Sequence, residues 1–174
     1  LLAAALLLVT ACWQLTGIER NVPAAAAEAR QTIGLKQPGP RAVLKGLDGK
    51  EYVLGEEARD KPLMINFWAS WCGPCHEEVA ALKQVYEAYK GQFDLYAVNV
   101  TKGDRMKDVM AFAKGYALPF PVLLDTTGHV ADAYRIVFVP TSFLIDKQGR
   151  LVEVVHVLSP PELEQKIKSL IAAG

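Results

Sequence analysis

Leu63-Met64-Ile65-Asn66-Phe67-Trp68-Ala69-Ser70-Trp71-Cys72-Gly73-Pro74-Cys75 reads as a strand that turns sharply into a helix. The first six residues are apolar except Asn66, the composition of a parallel strand covered on both faces. After the turn, a helix from Gly73 to about Tyr89 follows from the spacing of Val79, Leu82, Val85, Tyr86 and Tyr89. Residues three apart on a helix share a face, so Cys72 and Cys75 reach disulfide distance without backbone strain. Pro74 arrives with its φ preset, in the first turn where a missing N–H costs nothing. The N–H groups and dipole at the helix mouth favour negative charge and hold Cys72 as a thiolate. The dipole supplies up to ~2 kcal/mol, or about one and a half pKa units. A dithiol poised in this way exchanges electrons with other disulfides.

On the N-terminal side, two short strands are expected around 42–45 and 51–53, joined by Asp48-Gly49, a strong hairpin signal. On the C-terminal side, 94–100 reads as another buried strand. Asp104 is placed to cap a helix through Met106, Val109, Met110 and Ala113 that ends near Gly115. Pro119 and Pro121 punctuate the approach to a strand at 122–124, and a short helix follows around 130–134. Strands at 141–145 and 151–157 pair across Lys147-Gln148-Gly149, and Ser159-Pro160-Pro161-Glu162 opens a final helix with a capping box. Strand–helix–strand units followed by a hairpin and a helix give an α/β fold, a mixed sheet flanked by helices.

The chain has 174 residues, 51% of them hydrophobic, enough to build a core. Nineteen basic residues balance nineteen acidic ones, so no net charge points to a nucleic-acid partner. Cys12 makes the cysteine count odd and argues against a framework of structural disulfides. It lies in the apolar segment 1–18, whose hydrophobic run is expected to extend before Leu1. Three readings of that segment compete: a spanning helix of about eighteen residues, a lipobox (Val9-Thr10-Ala11-Cys12) that lipidates Cys12, and a cleaved signal peptide. Retention at the membrane is the preferred reading. An Ala-rich linker at 19–33 then leads into the domain proper, 34–174.

The chain resembles the TlpA/ResA-like group of thioredoxin-fold, membrane-anchored thiol–disulfide oxidoreductases. The likeness is carried by Asn66 to Cys75, Ala97-Val98-Asn99-Val100, Phe120 to Asp125, Asp132-Ala133-Tyr134, and Val139-Pro140-Thr141-Ser142-Phe143-Leu144-Ile145-Asp146. The segment 101–125 matches the central insertion of that group. The resemblance implies that Cys72 is the attacking, solvent-facing thiol and Cys75 the resolving one. It implies a cis bond before Pro140, although X–Pro bonds are cis only about 5–6% of the time, with Trp71, Gly73, Pro74 and Val139 forming the rim. Glu78 falls where ResA-like members carry a glutamate. Plain thioredoxins have a buried aspartate in place of Asn66, which reads as a structural amide. Also implied are protein disulfide substrates, apocytochrome c among them, a membrane electron donor for re-reduction, and a site on the outer side of a bacterial cell membrane. No cofactor is expected beyond the Cys72–Cys75 disulfide.

Other readings of the same residues stay open at this level. Run in reverse, the pair installs disulfides. Cys72 and Cys75 with His129 or His156 suit a copper carrier, while Cys72-Gly73-Pro74-Cys75-His76 satisfies the CxxCH signature of covalent haem attachment with His76 as iron ligand. A four-ligand zinc site finds no second CxxC and no His-x₃₋₅-His. Protonated His76 also suits a role in favouring the Cys72 thiolate. Glu78, three residues after Cys75, shares its face and is suited to take and return that thiol's proton. The plainer alternative is that Glu77 and Glu78 complement the helix N-terminus, worth about 0.3–1 kcal/mol each. Trp68 and the pair Met106 and Met110 read as core residues.

Overall fold

The computed structural model describes residues 33–173, residue 57 excepted. Segment 1–18, with its competing readings and Cys12, and nearly all of the expected linker lie outside the described residues. Among the described residues no helix is long and apolar enough to cross a membrane.

The strands are β1 (Ala42–Gly46), β2 (Glu51–Leu54), β3 (Leu63–Trp68), β4 (Asp94–Asn99), β5 (Val122–Leu124), β6 (Thr141–Ile145) and β7 (Leu151–Val155). The helices are α1 (Gly73–Ala88), α2 (Met106–Gly115), α3 (His129–Ala133) and α4 (Pro160–Ala172). The strands form one mixed sheet in the order β2-β1-β5-β4-β3-β6-β7. Its centre is parallel, β3 against β4 and β4 against β5, while β6 and β7 add antiparallel beside β3. The two hairpin turns rest on Gly49 and Gly149 at φ 81° and 76°, a region open to glycine at no steric cost.

All six residues of β3 are buried, and its two-residue period divides them between two cores. Met64 and Trp68 pack with Val79, Leu82 and Val85 of α1, Val109 and Phe112 of α2, and Leu163, Ile167 and Leu170 of α4. Leu63, Ile65 and Phe67 face the other way, onto Val130, Tyr134, Phe143 and the β1–β2 hairpin. Asn66 has the parity of Met64 and Trp68, so its side chain projects beneath α1. The expected chain of elements is present, with 151–157 shortened to Leu151–Val155 and α4 opened by its capping box of Ser159 and Glu162.

Two expectations fail on α2. Met106 and Met110 are 38% and 56% exposed, because Val109 and Phe112 form the buried stripe and the methionines fall off it. Asp104 is not the N-cap either: Arg105 holds that position without a side-chain bond. The Asp104 carboxylate is committed elsewhere, to the turn that carries the cysteines.

Candidate active site

β3 delivers the chain to the sheet's edge beneath the mouth of α1. Cys72 N–H donates to Ala69 O at 3.2 Å and closes the turn. Cys72 is then the N-cap of α1, and its sulfur accepts from Cys75 N–H at 3.2 Å. A cap is ordinarily a Ser, Thr, Asp or Asn oxygen. A sulfur in that place gains most from the bond when it carries negative charge, so this N–H favours the thiolate once the pair is reduced. Cys72 and Cys75 are joined as a disulfide, their Cα atoms 5.2 Å apart.

The expected open exposure of Cys72 is corrected. It is 4% exposed against 1% for Cys75, because the loop before β6 closes over it. The Val139 carbonyl oxygen lies 3.5 Å from Cys72 Sγ, and the Val139–Pro140 bond is cis. Around this point Trp71, Gly73 and Pro74 are exposed, Val139 is half-buried and Pro140 is buried. Val137 and Phe138, which the sequence did not single out, stand exposed on the same loop.

Below the disulfide, Cys75 and Glu78 line one small hollow with Asn66, Trp68 and Val79. Burial pushes the Glu78 carboxyl up to about 7, against the opposing effect of Asn66 Nδ2, which donates to Glu78 Oε1 at 2.8 Å. Asn66 also donates to Ser142 Oγ at 3.0 Å, its partner across the β3–β6 register. The amide therefore holds the base as well as the sheet. A carboxylate half-ionised near neutrality beside a buried thiol is matched to moving a proton at physiological pH.

The turn itself is clamped by the segment after β4. Asp104 accepts from Ser70 N–H at 2.6 Å, Ser70 Oγ–H at 2.5 Å and Asn99 Nδ2 at 3.0 Å. Burial alone would raise its pKa, but these donors and Arg105 N–H outweigh it and hold the carboxyl below the usual range. Trp71 Nε1 donates to Gly103 O at 3.0 Å, so the indole is pinned although 66% exposed. Sequence reasoning missed this role for Asp104. A serine beside the cysteines and an acidic residue in the insertion are common, and only the tertiary fold brings them together.

His76 has both ring nitrogens engaged, Nε2 with Ser70 O and Nδ1 with Tyr116 Oη, each at 2.8 Å. Neither contact is to a sulfur, and neither nitrogen is free for an iron. His129 opens α3, whose Val130 packs in the core opposite the one holding the cysteines. His156 contacts Thr141 Oγ1. The structure thus brings together Cys72, Cys75, Glu78, Val139 and Pro140, engages the rings of His76 and His156 with other groups, and places His129 at the start of α3.

The family model described as AhpC/TSA family matches residues 35–154. The chain is 35% identical over 144 residues to the thioredoxin-like protein YneN of Bacillus subtilis strain 168, covering 80% of this chain and 83% of that one. It is 34% identical over 146 residues to the thiol-disulfide oxidoreductase ResA of the same strain, covering 83% and 80%. The crystal structure of StoA from Bacillus subtilis superimposes with a TM-score of 0.64 at 26% identity, over 75% of this chain and 97% of that one.

Proposed function

The chain belongs to the AhpC/TSA family and is a thiol–disulfide oxidoreductase of thioredoxin-like fold, and we propose that it works as a reductant of protein disulfides on the outer side of a bacterial membrane. The observation that carries the exchange chemistry is the buried Glu78 carboxyl that shares a hollow with Cys75, while the direction and the location rest on the resemblance. In the reduced enzyme, the Cys72 thiolate attacks one sulfur of a substrate disulfide. A mixed disulfide forms and the substrate's other sulfur leaves as a thiolate that takes a proton from water. Glu78 accepts the Cys75 proton, and the Cys75 thiolate attacks Cys72 Sγ. The Cys72–Cys75 disulfide closes, the second substrate thiolate departs, and Glu78 returns a proton to it. Two electrons from the cysteine pair and two protons, one from water and one relayed by Glu78, have then moved to the substrate. Trp71, Gly73, Pro74 and Val139 form the rim against which the substrate lies.

The resemblance supports two further parts of the reading. Apocytochrome c fits as substrate, because its CxxCH thiols must be reduced before haem attachment. Segment 1–18 fits a membrane tether, with re-reduction by a membrane electron donor. The deciding experiment is trapping on Cys75→Ser, which keeps the attacking thiol and removes the resolving one. It should accumulate mixed disulfides with extracytoplasmic proteins, and full turnover by this variant would overturn the two-thiol mechanism. Equilibration with glutathione settles the direction. A potential near that of thioredoxin, about −270 mV, supports a reductant, and one near −120 mV assigns an oxidant instead.

A further inference from the structure

The loop that covers Cys72 is braced from behind by a residue the reaction above does not use. His156 follows β7. Its ring lies against Phe138 with centroids 4.5 Å apart, and its Nδ1 is 3.2 Å from Thr141 Oγ1. The same hydroxyl donates to Phe138 O at 2.8 Å. A threonine hydroxyl has one hydrogen to give. With it spent on Phe138, the contact to His156 is a hydrogen bond only when Nδ1 carries a proton. A bare Nδ1 would draw the hydroxyl to itself and release the Phe138 carbonyl. The neutral Nδ1–H tautomer and the cationic ring both satisfy the arrangement.

The segment held in this way is Phe138-Val139-Pro140-Thr141. It places Val139 O 3.5 Å from Cys72 Sγ and presents Phe138, 54% exposed, next to Val137, 89% exposed. A polypeptide that brings a disulfide to Cys72 must lie on this loop, whereas a small disulfide need not. We propose that His156 is a positioning residue for protein substrates: by donating from Nδ1 to Thr141 Oγ1 it keeps that hydroxyl on the Phe138 carbonyl and fixes the loop that receives the substrate chain. The inference rests on the reading of the site as one that acts on protein disulfides.

The test compares H156N, H156Q, T141V and H156Q/T141V in the full chain, with an unfolded disulfide-bonded protein and dithiobis(nitrobenzoate) as substrates. Asparagine puts an amide nitrogen where Nδ1 lies, and glutamine puts one where Nε2 lies. H156N should stay within about twofold of wild type. H156Q should raise KM for the protein substrate about tenfold with kcat within about twofold, the effect of one lost hydrogen bond. The ratio of its rate constants for protein and small disulfide should fall by the same factor. The double variant should be no worse than T141V, since His156 acts through that hydroxyl. H156Q matching wild type, H156N matching H156Q, or multiplying effects in the double variant would each overturn the proposal. Should T141V not fold, the contrast between H156N and H156Q decides alone. Failure of the wild type to reduce the protein substrate overturns the underlying reading instead.

Discussion

Asn66 Nδ2 donates to Glu78 Oε1 at 2.8 Å and ties the central strand to the helix that carries both cysteines. The bond exists because Asn66 has the strand parity that faces α1, and because Glu78 stands one helical turn after Cys75. It also sets two opposed influences on Glu78, burial favouring the acid and the amide favouring the carboxylate, with burial the larger.

Stability should carry the mark of that balance. Glu78 binds its proton more tightly in the folded chain, at about 7, than in the unfolded one, at the ordinary value of 4.5. The resulting stabilisation is full below about pH 4.5 and is lost as pH rises through about 7. By pH 8 the difference amounts to up to about 3 kcal/mol. Glu78→Gln should therefore melt near the wild-type temperature at pH 5 and about 5 °C or more above it at pH 8. Equal melting temperatures at both pH values would rule out a raised carboxyl.

Kinetics should carry a second mark. When a preformed mixed disulfide on Cys72 is followed in single turnover, the wild-type resolution rate should climb through about pH 7 with Glu78 ionisation. In Glu78→Gln the rise should move towards about 8.5, the ordinary range of a thiol. A superimposable profile would remove Glu78 from proton transfer.

Asp104 should behave in the opposite sense. Its folded-state pKa is lowered, so its contribution is present above the unfolded value near 3.8 and disappears as pH falls through the folded one. Asp104→Asn turns an amide towards the Ser70 donors and should cost about 1–3 kcal/mol at pH 7 by chemical denaturation. The gap should narrow as pH falls below 3.8. A gap that stays constant with pH would mean that charge plays no part in the clamp.

The exposed methionines give a separate check on the packing of α2. Brief peroxide treatment of the oxidised protein, read by peptide mass spectrometry, should convert Met106 and Met110 to sulfoxides. Met64, 1% exposed in the core beneath α1, should remain protected until the chain unfolds. Protection of Met110 would contradict the orientation of the helix.

Much of the molecule follows from local pattern. The β3 apolar run, the Asp48-Gly49 and Gly149 turns and the Ser159–Glu162 capping box are short-range signals, and each appears where its residues place it. The helix holding Met106 and Met110 was legible as a helix, but its inward face was not. Met106, Val109, Met110 and Ala113 satisfy a helical period as well as Val109 and Phe112 do, and tertiary neighbours such as Trp68, whose ring lies 4.3 Å from that of Phe112, select between them.

The sequence alone placed the reactive pair: two cysteines three residues apart at the start of a helix, after an apolar strand, come within disulfide distance because helical geometry brings them together within a single turn. Only the tertiary structure decided how that pair is tuned. Glu78 meets Asn66 across 12 residues, Ser70 meets Asp104 across 34, and Cys72 meets Val139 across 67. Burial, hydrogen-bond partners and the cover over the sulfur all come from contacts distant in the chain, which local spacing does not encode.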